Sequence, residues 1–176
     1  MVTFGSDAAR PRGVLRVRGG YGSVMTDMRT GSMTATNLQK IATAVAAVFL
    51  LVGVLGFIPG ITTDYDTMTF ASHNSDAKLL GIFEVSVLHN IVHLLFGVVG
   101  LALARTWDGA RSYLIGGGVI YLVLWIYGLV VGEESKANFV PVNSADNWLH
   151  LLLGLAMVAL GFALGRRDAD DVRVRR

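Results

Sequence analysis

Four histidines, His73, His89, His93 and His150, are the principal side chains near the apolar parts of this 176-residue sequence that could ligate a metal or carry a proton. His89 and His93 stand four positions apart, so on a helix both imidazoles share one face and can offer two ligands to one divalent metal, with His150 or His73 as a third. No carboxylate shares that face, so such a site rests on imidazole alone. His93 and His150 are also the fourth residues of two matching segments, Asn90-Ile-Val-His93-Leu-Leu-Phe-Gly97 and Asn147-Trp-Leu-His150-Leu-Leu-Leu-Gly154. Equivalent places in two copies of one motif suit four roles: hydrogen-bonding glue between helices, a histidine-held metal, haem b between His93 and His150, or contact with a quinone, lipid or other small ligand. There is no cysteine, which removes disulfides, thiol catalysis and cysteine-ligated clusters but leaves histidine ligation untouched. Nothing in the spacing marks a catalytic residue, and no cofactor is expected on the leading reading. Haem b or a divalent metal belongs to the alternative.

The elements that must position these groups are helices. At 100° per residue, His89, His93, Gly97, Gly100 and Ala104 fall within an arc of about 80°, with Glu84 on the opposite side. His150, Gly154, Gly161 and Gly165 form a similar narrow stripe with Asn147. Small residues let helices approach closely in lipid, so both stripes are expected to face a bundle interior, with Asn90, His93, Gly97, Asn147, His150 and Gly154 as its polar and packing motif. Gly56-Phe-Ile-Pro-Gly60 and Gly128-Leu-Val-Val-Gly132 end the apolar blocks that precede the two motifs. Each half of the chain thus reads as one helical hairpin, and the two halves form a parallel internal repeat about an axis along the membrane normal.

Composition sets the medium. The chain is 53% hydrophobic and 16% charged, against about 45–50% and 25% in soluble domains. Apolar residues gather in spans of about 41–58, 86–104, 112–131 and 147–165, each long enough to cross hydrocarbon as a helix. Continuous rather than alternating apolar runs select helices over a barrel. Residues 1–33 are rich in Gly, Arg and Ser and read as a disordered basic tail. Met25, Met28 and Met33 are alternative starts, and the native product is expected to begin near Met33. Residues 34–166 form the membrane domain, and 167–176 a charged cytoplasmic tail. No cleavable signal peptide precedes the first span, which is expected to remain as an anchor.

Charge orients the bundle. Arg10, Arg12, Arg16, Arg18, Arg29, Lys40, Arg105, Arg111, Arg166, Arg167, Arg173, Arg175 and Arg176 fall on one side, and only Lys78 and Lys136 on the other. Basic residues favour the cytoplasmic face, which places both termini there and makes the tails contacts for anionic lipid rather than for nucleic acid. Trp125, Tyr127 and Trp148 are expected as outer interfacial anchors, and Trp107 and Tyr113 as inner ones. The inner turn between spans two and three is Arg105 to Arg111, which makes those helices antiparallel neighbours. Lys78 to Val85 carries no proline and is expected to extend the second helix outward. Asn147 and Ser144 are expected to cap the fourth. The Gly116-Gly-Gly118 run, with no Lys-Ser/Thr behind it, reads as close packing rather than a phosphate cradle.

The segments Ala77 to Leu101 and Val140 to Gly154 resemble the two signatures of a bacterial family of four-transmembrane-helix proteins, the domain-of-unknown-function 4383 family. The resemblance spans roughly residues 34–165 and implies a four-helix integral membrane protein, with no substrate, cofactor or reaction attached. The expectation is an all-α bundle in a bacterial cytoplasmic membrane, with a non-enzymatic structural, accessory or partner-binding role. Its partners are the lipid bilayer, other membrane proteins or a second copy of itself. The alternative is a histidine-based haem or metal protein with His93 and His150 as ligands and His89 as auxiliary.

Overall fold

Four helices dominate the backbone of the computed structural model, which describes residues 35–72, 74–131, 135, 137–140 and 142–174, with side chains described through Arg166. They are α1 (Asn37–Leu55), α2 (Val87–Leu103), α3 (Trp107–Val130) and α4 (Ser144–Val174). The proposed tail 1–33, the alternative start sites and His73 lie outside the described residues. α1 packs chiefly on α2, and α3 on α4, which gives two hairpins joined side by side. α1, α3 and residues Ser144–Arg166 of α4 are long and apolar enough to cross a membrane. α2 is apolar but has 17 residues, about 25 Å of helix, at the lower limit for a span.

Each helix begins where a side chain satisfies its first amide groups. The Thr36 hydroxyl accepts from Gln39 N, while the Gln39 side chain returns a bond to the Thr36 amide and also donates to the carbonyls of Ala104 and Arg105. One capping box thereby ties the start of α1 to the end of α2. Ser86 caps α2 and Thr106 caps α3, their hydroxyls accepting from His89 N and Gly109 N. The Thr106 cap starts α3 five residues before the expected boundary at 112, so only Arg105 and Thr106 separate α3 from the Ala104 end of α2. The first turn of α4 is closed by Asn143, while the Asn147 side chain reaches across to Gly128 O instead of capping. Asn143 Oδ1 accepts from Asp146 N, and Asp146 Oδ2 accepts from Asn143 N, at 3.0 and 3.1 Å.

The first outer connection departs furthest from expectation. Lys78 to Val85 is not an extension of α2. It contributes strands β2 (Lys78–Leu79) and β3 (Phe83–Glu84), which join β1 (Thr62–Thr63) in an antiparallel sheet of order β1-β2-β3. Leu80 and Gly81 both take positive φ, 55° and 73°, the mirror-image turn that matches strand twist. Thr62 anchors the sheet to α1, its buried hydroxyl donating to the carbonyls of Leu55 and Gly56 at the helix end.

Polarity is reversed relative to a water-soluble bundle. Val48, Leu51, Leu95, Val98, Ile120, Val123, Leu152 and Leu155 are exposed on the outer faces, whereas Asn90, His89, His150 and Asp146 are buried. The central packing layer consists of Leu38, Ala42, Ala46, Phe49, Ala110, Tyr113, Leu114, Tyr121 and Met157. Tyr113 is therefore a core residue and not the interfacial anchor its position suggested: Gly100 leaves room for its ring, which also packs on Phe96.

Candidate functional site

The two motif asparagines meet the glycines of their own hairpins. Any Cβ at Gly56 would run into the Asn90 amide, and any Cβ at Gly128 into that of Asn147. The contacts are equivalent in the repeat but not identical in bonding. Asn147 Nδ2 donates across to Gly128 O at 3.2 Å, while Asn90 Nδ2 lies 3.9 Å from Met68 Sδ. Deeper in each hairpin, Gly97 is backed by Leu50 and the Ala46 carbonyl, and Gly154 by Leu122 and the Gly118 carbonyl. Gly56, Leu50 and Ala46 stand at one constant interval from Gly128, Leu122 and Gly118, as do Asn90 and Gly97 from Asn147 and Gly154. The parallel repeat is thus a repeat of contacts as well as of letters. Gly117 and Gly118 serve close packing, against Phe96 and Met157 and against α4, while Gly116 faces open space.

His93 and His150 each lie about one turn deeper than the asparagine of their motif, and His89 precedes Asn90. His89 and His93 stack nearly parallel, with ring centroids 4.5 Å apart and planes 13° from one another. His93 Nδ1 is 3.0 Å from the His89 carbonyl oxygen. A carbonyl can only accept, so Nδ1 holds the proton and Nε2 is left as the acceptor of the neutral ring. His150 sits on the opposite hairpin, 4% exposed, with its Nδ1 buried and without a hydrogen-bond partner among the described residues. Two aromatic rings connect the histidines: Phe49 contacts His93, Tyr121 contacts His150, and Phe49 contacts Tyr121.

All three histidines line one cavity of about 420 Å³ between α1 and α4, within the usual range for small-molecule sites. Tyr121 and Asp146 supply its other polar groups, and apolar residues from α1, α4 and the sheet supply the remainder. Asp146 is 2% exposed, and its Oδ2 accepts from Glu84 N at 3.0 Å as well as from Asn143 N. With Asn143 Nδ2 donating to Ile82 O, this fastens the β2–β3 turn over the top of the cavity.

His89, His93 and His150 are therefore brought to one cavity, and Asn90, Gly97, Asn147 and Gly154 to the helix contacts beside it. Among the described residues, no group of three or more His, Asp or Glu side chains is placed to hold a metal ion. The stacked His89 and His93 rings set face against face instead of aiming two nitrogens at one point. Asp146, Tyr121 and Phe49 are site residues that the sequence reading left out. Asn143-x-x-Asp146 carried a legible signal, a helix N-cap with an acidic residue three positions on. Phe49 and Tyr121 carried only their shared register in the repeat.

Two helical hairpins in parallel repeat, apolar outside and polar within, define a four-helix bundle compatible with a multi-pass membrane protein. Residues 39–163 match the family described as domain of unknown function (DUF4383), and the chain belongs to that family. Neither a curated protein nor a solved structure matches it.

Proposed function

We propose that the chain is an integral protein of a bacterial cytoplasmic membrane, with both termini in the cytoplasm, and that it has a non-enzymatic structural, accessory or partner-binding role. One observation carries this reading: the outer faces of the helices are apolar, while the interior polar groups hold the bundle together. Asp146 secures the sheet and α4, and Asn147 bridges to α3. Such groups are costly in lipid and stable inside a bundle. The exposed Arg105 and Lys40 share one end of the bundle, the sheet the other, in keeping with basic residues on the cytoplasmic side.

The absence of cysteine makes the test direct. Thr63→Cys and Asn74→Cys are expected to react with a membrane-impermeant maleimide in intact cells, and Lys40→Cys and Arg105→Cys only after lysis. The reverse pattern overturns the orientation, and recovery in the soluble fraction overturns the membrane placement. A Soret band or stoichiometric metal in protein from native membranes would move the reading to the alternative, a haem or metal protein using His93 and His150.

A further inference from the structure

The repeat provides a place equivalent to the cavity between α1 and α4, and there a side chain stands in the space. Repeat equivalence carries Val45 and Leu153, which line the cavity, onto Gly117 and Phe96 at the seam between α3 and α2. There the Phe96 ring occupies the notch: a Cβ at Gly117 would meet Phe96 Cζ at 2.7 Å, and the ring packs on Phe49, Tyr113 and Tyr121 with centroids 4.8, 5.2 and 5.7 Å away. At the α1–α4 seam the ring position is a leucine and the space stays open. The cavity is thus a specific departure from the internal symmetry.

Its shape is that of a slot entered from the side. From Leu55 to Ala44 it follows α1 for about 16 Å. Val48 and Leu149 line it and are also 58% and 43% exposed, so it reaches the surface between α1 and α4 through an apolar mouth. The polar groups collect at the end beneath the sheet.

Their chemistry narrows the occupant. No Lys or Arg lines the slot and a carboxylate does, which disfavours the phosphate of a phospholipid. His93 offers an acceptor at Nε2. His150, whose Nδ1 is buried without a partner, is most stable with its proton on Nε2, because an unpaired buried donor is the rarer and costlier state. The two equivalent histidines therefore present one acceptor and one donor beside the Phe49 and Tyr121 rings. We propose that this slot binds a lipid-soluble molecule with a flat, uncharged head bearing carbonyl or hydroxyl oxygens and an apolar tail, the chemistry of a prenylated quinone. The head lies among His93, His150 and Tyr121, and the tail leaves past Val48 and Leu149.

This rests on the membrane reading, which the cysteine labelling tests separately. The experiment titrates full-length protein in phosphatidylcholine nanodiscs with decylubiquinone and counts bound quinone by equilibrium dialysis. Saturable binding of about one quinone per chain is expected. Leu153→Phe, which places the ring of the other seam into the slot, is expected to weaken it at least tenfold, as is Val48→Trp at the mouth; Leu152→Phe, one residue along and facing outward, leaves it unchanged. Size-exclusion profiles identify the folded variants, and either slot variant suffices. Equal binding by wild type and a folded slot variant, no saturable binding, or displacement by excess phosphatidylglycerol overturns the proposal.

Discussion

The rings of Phe49 and Tyr121 meet with centroids 5.3 Å apart at equivalent positions of the two hairpins. Each also touches the motif histidine of its own hairpin, Phe49 to His93 at 5.6 Å and Tyr121 to His150 at 5.2 Å. The pseudo-symmetry axis therefore passes between two aromatic rings, and the histidines flank it. This pairing makes the polar end of the bundle a single site instead of two separate helix contacts.

The hairpins are held by glycine-to-asparagine contacts, and that can be read in stability. Gly128→Ala drives a methyl into the Asn147 amide and strains the bond to Gly128 O. Overpacking of this kind costs about 1–3 kcal/mol. Gly116→Ala, on the same helix but facing open space, is expected to be neutral or stabilising by about 0.5–1 kcal/mol through helix propensity. Thermal unfolding in detergent, followed by tryptophan fluorescence, checks the contrast; equal effects would deny the contact its role.

Asparagine and histidine are expected to differ although they share one motif. Asn147 makes a bond between helices, whereas no bond from His150 to another helix is present among the described residues. Asn147→Ala is expected to cost about 0.6–1.7 kcal/mol, the range for polar contacts between membrane helices. His150→Leu relieves an unpaired buried nitrogen and is expected to be neutral or stabilising. Should His150→Leu prove the more damaging in the same unfolding measurement, the histidine bonds across the bundle after all.

The sheet is fastened through Asp146, whose Oδ2 accepts from both Asn143 N and Glu84 N. Asp146→Ala removes a helix cap and the tie to β3 together. A cap alone is worth about 0.5–2 kcal/mol, so loss toward the upper end is expected, with faster amide exchange across residues 78–85. Asp146→Asn keeps an acceptor oxygen and is expected to recover part of both. Exchange measured by mass spectrometry decides, and unchanged protection at 78–85 in Asp146→Ala would separate the sheet from the cap.

Much of this architecture was legible because apolar runs of helical length located the four helices and the His-Gly stripes located their inward faces. The β2–β3 turn was not, because Lys78 to Val85 has a helical look and the decisive feature is Leu80 in a left-handed conformation that leucine rarely adopts. Tyr113 was misplaced because an aromatic near a span end reads the same whether it faces lipid or fills a Gly100 notch. The cavity was invisible for a similar reason: it depends on Leu153 standing where the other hairpin has Phe96, a difference in volume that hydrophobic patterning does not register.

The strain at Leu80 gives its own test. Its φ of 55° costs a branched side chain on the order of 1 kcal/mol, and at 61% exposure the side chain recovers little by burial. Leu80→Asn, a residue that enters this region readily, is expected to raise the unfolding midpoint. Gly81→Val, at φ 73°, is expected to lower it by more than Leu80→Asn raises it.

Because the two seams are equivalent in the repeat, the cavity is expected to be movable from one to the other. Phe96→Leu gives the α2–α3 seam the leucine that the α1–α4 seam already has, beside Gly117, which offers no side chain to refill the space. Removing part of a packed ring costs the transfer of the lost atoms plus the cavity left behind, here about 1–3 kcal/mol. Leu153→Phe fills existing space and is expected to be far less costly, so the double variant should have the stability of Phe96→Leu with the void on the opposite seam. Xenon-dependent methyl shifts in NMR of detergent-solubilised protein locate the voids: near Val45 in the parent, near Met157 and Tyr113 in the double variant. If Phe96→Leu is tolerated without a new xenon site, the seam closes by helix movement, and the open slot at Leu153 reflects looser packing of α1 on α4 instead of the missing ring.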